Sequence, residues 1–142
     1  MDAFDADVLI YAVVPGHPLG QRVRNLFSDE VTDPEGRTAG IGSVLLVPEL
    51  LSKPMRDGLE SEVEALASLL ARLDLRPVDE AIAELAAVLG STYRLRAADA
   101  VHLATAIAAG ADRFITNNSR DFSKEISEVE VTFPDELRRA PQ

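Results

Sequence analysis

The stretch AADAVHLATAIAAGADRFITNNSRDF, residues 97–122, carries the reading of this chain. Residues 97–109 are a run of small and apolar side chains, which predicts a helix able to approach its neighbours closely. Gly110 is a good helix stop, because without a Cβ it enters the left-handed region at little cost. Residues 113–116 then read as a short buried strand, and 117–121 as the polar loop that leaves it. A helix that turns at once into a buried strand is the unit from which parallel sheets are built. Asp99 stands in the first turn of this helix, and Thr116, Asn117, Asn118 and Asp121 stand at the exit of the strand.

Working outward, the same unit recurs. Residues 2–5 predict a first strand with Asp5 at its exit, and 8–14 a helical turn stopped by Pro15 and Gly16. Residues 18–28 predict a helix with Leu19, Val23, Leu26 and Phe27 on one side, and 29–36 are polar and turn-rich. Residues 38–43 read as a strand despite Gly40 and Gly42. Ser43 then looks like the N-cap of a helix carrying Glu49, in which Pro48 is tolerable because early helical N–H groups lack partners anyway. Leu59, Val63, Leu66, Leu70 and Leu73 form one amphipathic helical stripe, and 75–78 a short strand. Asp79 caps a helix over 80–93, and 129–133 is a last strand. The expected fold is α/β: one domain over residues 1–142, with about five short parallel strands, helices on both faces and a frayed tail at 138–142. In such sheets ligands bind beyond the carboxyl ends of the strands.

Composition removes several function classes. The chain has 24 acidic and 14 basic residues, a formal charge of −10, so it is no nucleic-acid binder working by charge alone. Any nucleic acid must be engaged through metal ions, local arginines or a partner surface. There is no Cys, which excludes disulfides and thiolate metal sites and leans towards a reducing cytoplasm. No stretch approaches 18 uninterrupted apolar residues, so no membrane span is expected, and the start of the chain does not read as a signal peptide.

The chemistry-bearing residues are Asp5, Glu49 and Asp99, which the expected topology can bring to one edge of the sheet. Converging carboxylates without a cationic partner point to a divalent metal, and hard cations such as Mg²⁺ and Mn²⁺ prefer oxygen donors. Such an ion can activate water against a phosphodiester without Cys, a Ser nucleophile or an obligatory His. Each residue also has a plainer role. Asp5 can end a strand, Glu49 can be a solvated helix residue, and Asp99 can favour a helix start through the macrodipole. Asp7 reads mainly as the cap of a helix beginning at Val8, and Ser43 mainly as a cap. Thr116 can bond a phosphate or a carboxylate, or cap its loop. His102, one turn after Asp99, reads as a packed or interface histidine before a general base. His17 reads as a helix-start residue, and Phe122 as core. Arg94, Arg96, Arg113 and Arg120 are candidate phosphate contacts.

These segments resemble the PIN-domain family over nearly the whole chain. DADVLIYA looks like its opening motif, with Asp5 at the first acidic position, and SVLLVPELL is similar to the second, with Ser43 six residues before Glu49. AADAVHLATAIAAGADRFITNNSRDF resembles the third and fourth motifs, with Asp99 at the third acidic position. At the fourth, where relatives carry an acid two residues after the Thr, this chain has Asn118, and Asp121 follows three residues later. A stand-alone domain of this size is similar to the toxin half of a VapBC toxin–antitoxin pair. The resemblance implies a Mg²⁺- or Mn²⁺-dependent endoribonuclease that leaves 3′-hydroxyl and 5′-phosphate ends, is neutralised by a small antitoxin and commonly dimerises. It implies Asp5, Glu49 and Asp99 as metal ligands, with Asn118 or Asp121 holding a second ion or the attacking water.

Two other readings stay open. FDADVL contains an Asp-x-Asp start like that of haloacid-dehalogenase phosphotransferases, with Asp5 as nucleophile and Asp7 as acid/base, although Leu9 stands where Thr or Val is usual. A PIN-like domain whose incomplete fourth position leaves it inert would instead serve to hold a partner. A phospho-receiver domain is disfavoured, because 38–43 supplies no Asp and 113–116 ends in Thr116 rather than Lys.

Overall fold

The computed structural model describes residues 1–28 and 38–138. Along the chain run β1 (Asp2–Phe4), α1 (Ala6–Ala12), α2 (Pro18–Asn25), β2 (Gly40–Ser43), α3 (Leu46–Arg56) and α4 (Glu60–Leu70). Then come β3 (Leu73–Arg76), α5 (Glu80–Tyr93), α6 (Ala97–Ala108), β4 (Arg113–Ile115), β5 (Glu130–Thr132) and a 3₁₀ turn at Pro134–Glu136. All neighbouring strands pair in parallel, in the order β3-β2-β1-β4-β5. The chain winds from β1 to one edge and returns to β1's other side with β4, so β1 and β4 flank the point where the winding reverses.

Alternation along the strands assigns the two faces. Ala3, Ile41, Phe114 and Val131 enter a core roofed by α5 and α6, together with Ile82, Leu89, Leu103 and Phe122. Phe4, Leu73 and Ile115 enter the opposite core, filled by Val8 and Leu9 of α1, Val23 of α2, Leu46 and Leu50 of α3, and Leu66 and Leu70 of α4. The expected five-stranded α/β sheet with helices on both faces is what forms.

The two glycines that weaken β2 by propensity are required by packing. A Cβ at Gly40 would lie 2.4 Å from the Asp2 carbonyl oxygen and 2.6 Å from the Phe4 ring, and one at Gly42 would lie 2.5 Å from Leu46 Cδ1. At Gly40 the central strand presses so closely that only hydrogen fits, whereas at Gly42 the close atom is the movable end of Leu46.

Some boundaries differ from expectation, each for a local reason. The 59–73 stripe ends as a helix at Leu70, and Leu73 opens β3 two residues earlier than the expected 75–78. Leu73 keeps its inward side because it crosses the same core from the strand, so the stripe did not reveal the change of element. The expected strands 38–43 and 129–133 shorten to Gly40–Ser43 and Glu130–Thr132, and the helix expected over 18–28 ends at Asn25. α1 begins at Ala6 rather than Val8, because Asp5 and not Asp7 is its N-cap: the Ala6 N–H donates to Asp5 Oδ1 at 2.9 Å. Ser43 closes β2 instead of capping α3, and its Oγ accepts from the Leu45 N–H at 3.1 Å, tightening the entry turn. His17 does start α2, its Nδ1 accepting from the Gly20 N–H at 3.0 Å while its ring stacks on Tyr11. The turn-rich reading of 29–36 and most of the expected frayed tail lie outside the described residues.

Gly40→Ala sets a Cβ against main chain that cannot yield, whereas Gly42→Ala meets the end of a leucine. Urea denaturation is expected to show a loss of about 3 kcal/mol for the first and about 1 kcal/mol for the second. Equal losses would contradict this account of β2.

Candidate functional site

β1 ends at the sheet's carboxyl edge, and its next residue, Asp5, is only 5 % exposed. The β1–β4 register pairs Phe4 with Ile115, so residues 5 and 116 leave the sheet side by side. The Asp5 N–H donates to the Ile115 carbonyl at 2.9 Å, and the buried Thr116 hydroxyl donates to Asp5 Oδ2 at 2.8 Å. With Ala6 on Oδ1, both carboxylate oxygens have a donor. Burial nevertheless dominates and pushes the Asp5 carboxyl above the usual carboxylate range, with Glu49 adding to it, against the opposing pull of His102, Thr116 and the Ala6 N–H.

The loop after β4 is tied to this point. Thr116 Oγ1 also accepts from the Asn118 N–H at 3.1 Å, and the Asn117 N–H donates to Asp7 Oδ2 at 3.1 Å. Asn118 turns its carboxamide onto Asp121: Nδ2 donates to Asp121 Oδ2 at 2.9 Å, and Oδ1 accepts from the Asp121 N–H at 3.2 Å. Asn118 therefore orients the neighbouring acid. Phe122, wholly buried, anchors the loop by edge-on packing against Phe114.

Asp7 sits in the first turn of α1, and its Oδ1 is buried without a hydrogen-bond partner. Burial first, then the charges of Asp5 and Asp99, raise its pKa to about 7. The helix-capping role expected for Asp7 is thus replaced by a place among the acids. Asp99, half-buried in the first turn of α6, is raised by burial and by the charges of Asp5, Asp121 and Glu49, with His102 opposing. Glu49, in the first turns of α3, meets His102 of α6: Nε2 lies 2.9 Å from Oε1. For His102, burial disfavours the charged ring, but the bond to Glu49 and the charges of Asp5, Glu49 and Asp99 outweigh it, and its pKa is raised.

The three acids singled out from sequence are therefore close enough to act on one another's ionisation, and Asp7 and Asp121 join them. They do not form a closed ligand shell: among the described residues no three His, Asp or Glu side chains stand in metal-ligating arrangement. Each acid has hydrogen bonds of its own, Asp5 with Ala6 and Thr116, Glu49 with His102 and Asp121 with Asn118. Among the described residues no lysine or arginine bonds to any of these five acids. A set of oxygen donors that includes Asp5, Asp7 and Asp99, whose pKa values are raised, and one orphaned oxygen suits a hard divalent cation.

Of the candidate phosphate contacts, Arg113 is removed from play. Its Nε and Nη2 donate to the two Asp2 oxygens, each at 2.8 Å, so it clamps the ends of β1 and β4. Arg94, Arg96 and Arg120 are exposed. His102 confirms the packed reading, but its bond to Glu49 was not anticipated. The one-turn spacing to Asp99 was visible, whereas a partner 53 positions earlier leaves no local signal.

A parallel sheet in the order β3-β2-β1-β4-β5, with acids clustered beyond the carboxyl end of its central strand, defines an α/β domain that concentrates negative charge at its switch point. The PIN domain profile matches residues 3–125, and the chain belongs to the PIN domain family. Solved structures share the fold. A chain of the toxin–antitoxin complex from Klebsiella pneumoniae is 21% identical, with a TM-score of 0.72, over 94% of this chain and 98% of that one. A chain of VapBC2 from Rickettsia felis, bound to a DNA fragment from their promoter, is 17% identical, with a TM-score of 0.69, over 93% and 97%. A chain of FitAB bound to the IR36 DNA fragment is 21% identical, with a TM-score of 0.69, over 98% and 99%. At these identities the likeness is one of fold. No curated protein sequence matches the chain. Family membership leaves the haloacid-dehalogenase reading of Asp5 and Asp7 without support.

The raised Asp7 pKa has a defined consequence in metal-free protein. The folded state keeps a proton there that the unfolded chain releases near pH 3.8. Stability from this group is complete below that pH and is lost as pH rises through about 7. Asp7→Asn removes the dependence, so the variant is expected to gain on the wild type between those limits, by roughly 4 kcal/mol at most. Urea unfolding in EDTA at pH 5 and pH 8 measures it; a wild-type-minus-variant difference that does not change with pH would contradict the assignment.

Proposed function

We propose that this PIN domain is a metal-dependent endoribonuclease and the toxin of a type II toxin–antitoxin pair of the VapBC kind. The observation that carries the reading is the group of partly desolvated carboxyls at the switch point, Asp5, Asp7 and Asp99, whose pKa values all rise, with no lysine or arginine bonded to them among the described residues. Such a cluster is unfavourable alone and favourable around a cation. Asp5, Glu49 and Asp99 would hold Mg²⁺ or Mn²⁺, and Asp121 is the added acid where the family's fourth position is Asn118. When bound, such an ion supplies an acidified water and neutralises charge at a phosphodiester.

The chain's own residues do the rest. Thr116 and the Ala6 N–H fix the Asp5 carboxylate. Asn118 fixes Asp121, which would hold the attacking water or a second ion. Asn117 lends its N–H to Asp7, and Ser43 tightens the turn that leads into the Glu49 helix. Arg94, Arg96 and Arg120 offset the phosphate backbone in a chain of charge −10. The toxin–antitoxin complexes among the fold neighbours support a cognate antitoxin as partner. RNA as substrate, a homodimer and a cytoplasmic site of action belong to the same proposal. Among the described residues no helix is long and apolar enough to cross a membrane.

Purified protein is expected to cleave RNA with Mn²⁺ and to leave it intact with EDTA. Asp5→Ala and Asp99→Asn should each reduce cleavage by more than about 100-fold, the upper range for residues that merely support a ligand. Full cleavage by either variant refutes its role, and intact RNA with Mn²⁺ alongside tight antitoxin binding favours the inert partner-holding module. Separately, saturating Mn²⁺ should raise the melting temperature, by the equivalent of about 2.7 kcal/mol at a hundred times Kd. No shift at millimolar Mn²⁺ argues against the metal.

A further inference from the structure

His102 belongs to no part of the machinery assigned so far, yet its placement is specific. The residue is 2 % exposed, in the middle of α6, and is followed by core residues Leu103 and Ala104. Nε2 reaches Glu49 Oε1 at 2.9 Å, while Nδ1 is buried without a partner. A carboxylate oxygen accepts only, so the proton of the ring lies on Nε2. A histidine present only to fill space would leave a polar atom buried for nothing, where an apolar side chain would pack without that penalty. The orphaned Nδ1 is tolerated because the other nitrogen does something.

What Nε2 does is reach between layers. Glu49 rides on α3, whose Leu46 and Leu50 pack into the core on one side of the sheet, and α6 covers the other side. Among the described residues this is the hydrogen bond that joins the two helices, and it runs over the sheet's carboxyl edge where Asp5 and Asp99 lie. Without it Glu49, a flexible side chain about one third exposed, would sample many rotamers in water.

We propose that His102 is a positioning residue that fixes the Glu49 carboxylate beside Asp5 and Asp99, so that the third acid reaches a divalent cation already aimed. This rests on the metal reading above. Orientation of a ligating carboxylate by a buried donor is worth roughly 10–100-fold in metal affinity.

The test compares Mn²⁺ dissociation constants, measured by electron paramagnetic resonance, for wild type, His102→Leu, His102→Asn and His102→Gln. Leu removes the donor, Asn is too short to reach Glu49, and Gln carries a donor at about the right distance. Leu and Asn are expected to weaken binding by about tenfold or more, and Gln to restore most of it. Unchanged or tighter binding in Leu or Asn overturns the proposal, as does a folded Gln variant as weak as Asn. If His102→Leu does not fold, the Asn–Gln contrast decides. If wild type binds no Mn²⁺, the metal reading fails by itself, and the positioning claim is decided in metal-free protein by NMR. There, an Nε2-protonated ring and a loss of Glu49 side-chain order in the Asn variant are expected, and unaltered Glu49 order sinks it.

Discussion

The structure depends on one costly placement, a carboxyl group buried at the end of its central strand. Asp5 is set there by β1 and cannot move outward, because its own N–H is bonded to Ile115 and its two oxygens are bonded to Ala6 and Thr116. Those bonds lower its cost without removing it, and burial still prevails over them. A buried acid that is hydrogen-bonded and opposed only by the charge of His102 is an unfinished arrangement. The neighbouring acids make it more so: Asp5 helps raise both Asp7 and Asp99, and Asp99 in turn feels Asp121 and Glu49.

That placement follows from the winding of the sheet. Because β1 is paired with both β2 and β4, every loop that leaves a neighbouring carboxyl end passes near Asp5. Thr116 arrives from β4 and Ser43 from β2, and the helices that begin just beyond carry Asp7 and Glu49. Tight packing holds the strands in register so that these approaches are close. Gly40 admits the Asp2 carbonyl and the Phe4 ring, and Arg113 clamps Asp2 across the β1–β4 pair. The fold thus uses stability gained in two apolar cores to hold together charges that repel. A protein arranged in this way is expected to be firmer with a cation bound than without one.

Under the nuclease proposal, the cluster also reconciles a chain of charge −10 with a polyanionic substrate. Acids that are protonated or bound to a cation present less negative charge than their number suggests, and exposed Arg94, Arg96 and Arg120 add local positive charge. Net charge describes the whole surface, whereas attraction to a phosphate is decided within a Debye length of the site.

The sequence by itself determined the fold class, the sheet and most helix positions, and it placed the candidate acids at element ends. Hydrophobic period and Gly and Pro punctuation are local, and the acids stand at element ends that those signals mark. That Asp5, Glu49 and Asp99 come near one another was legible for that reason. Tertiary structure alone decided what each side chain touches. It made Asp5 rather than Asp7 the cap of α1, tied Arg113 to Asp2, turned Asn118 onto Asp121 and set His102 against Glu49. It also explained the glycines of β2 and carried Leu73 from a helical stripe into a strand. Pairings between residues far apart in the chain depend on which surfaces the packed layers bring together, and on how much water they exclude. Neither quantity is written in any local run of residues.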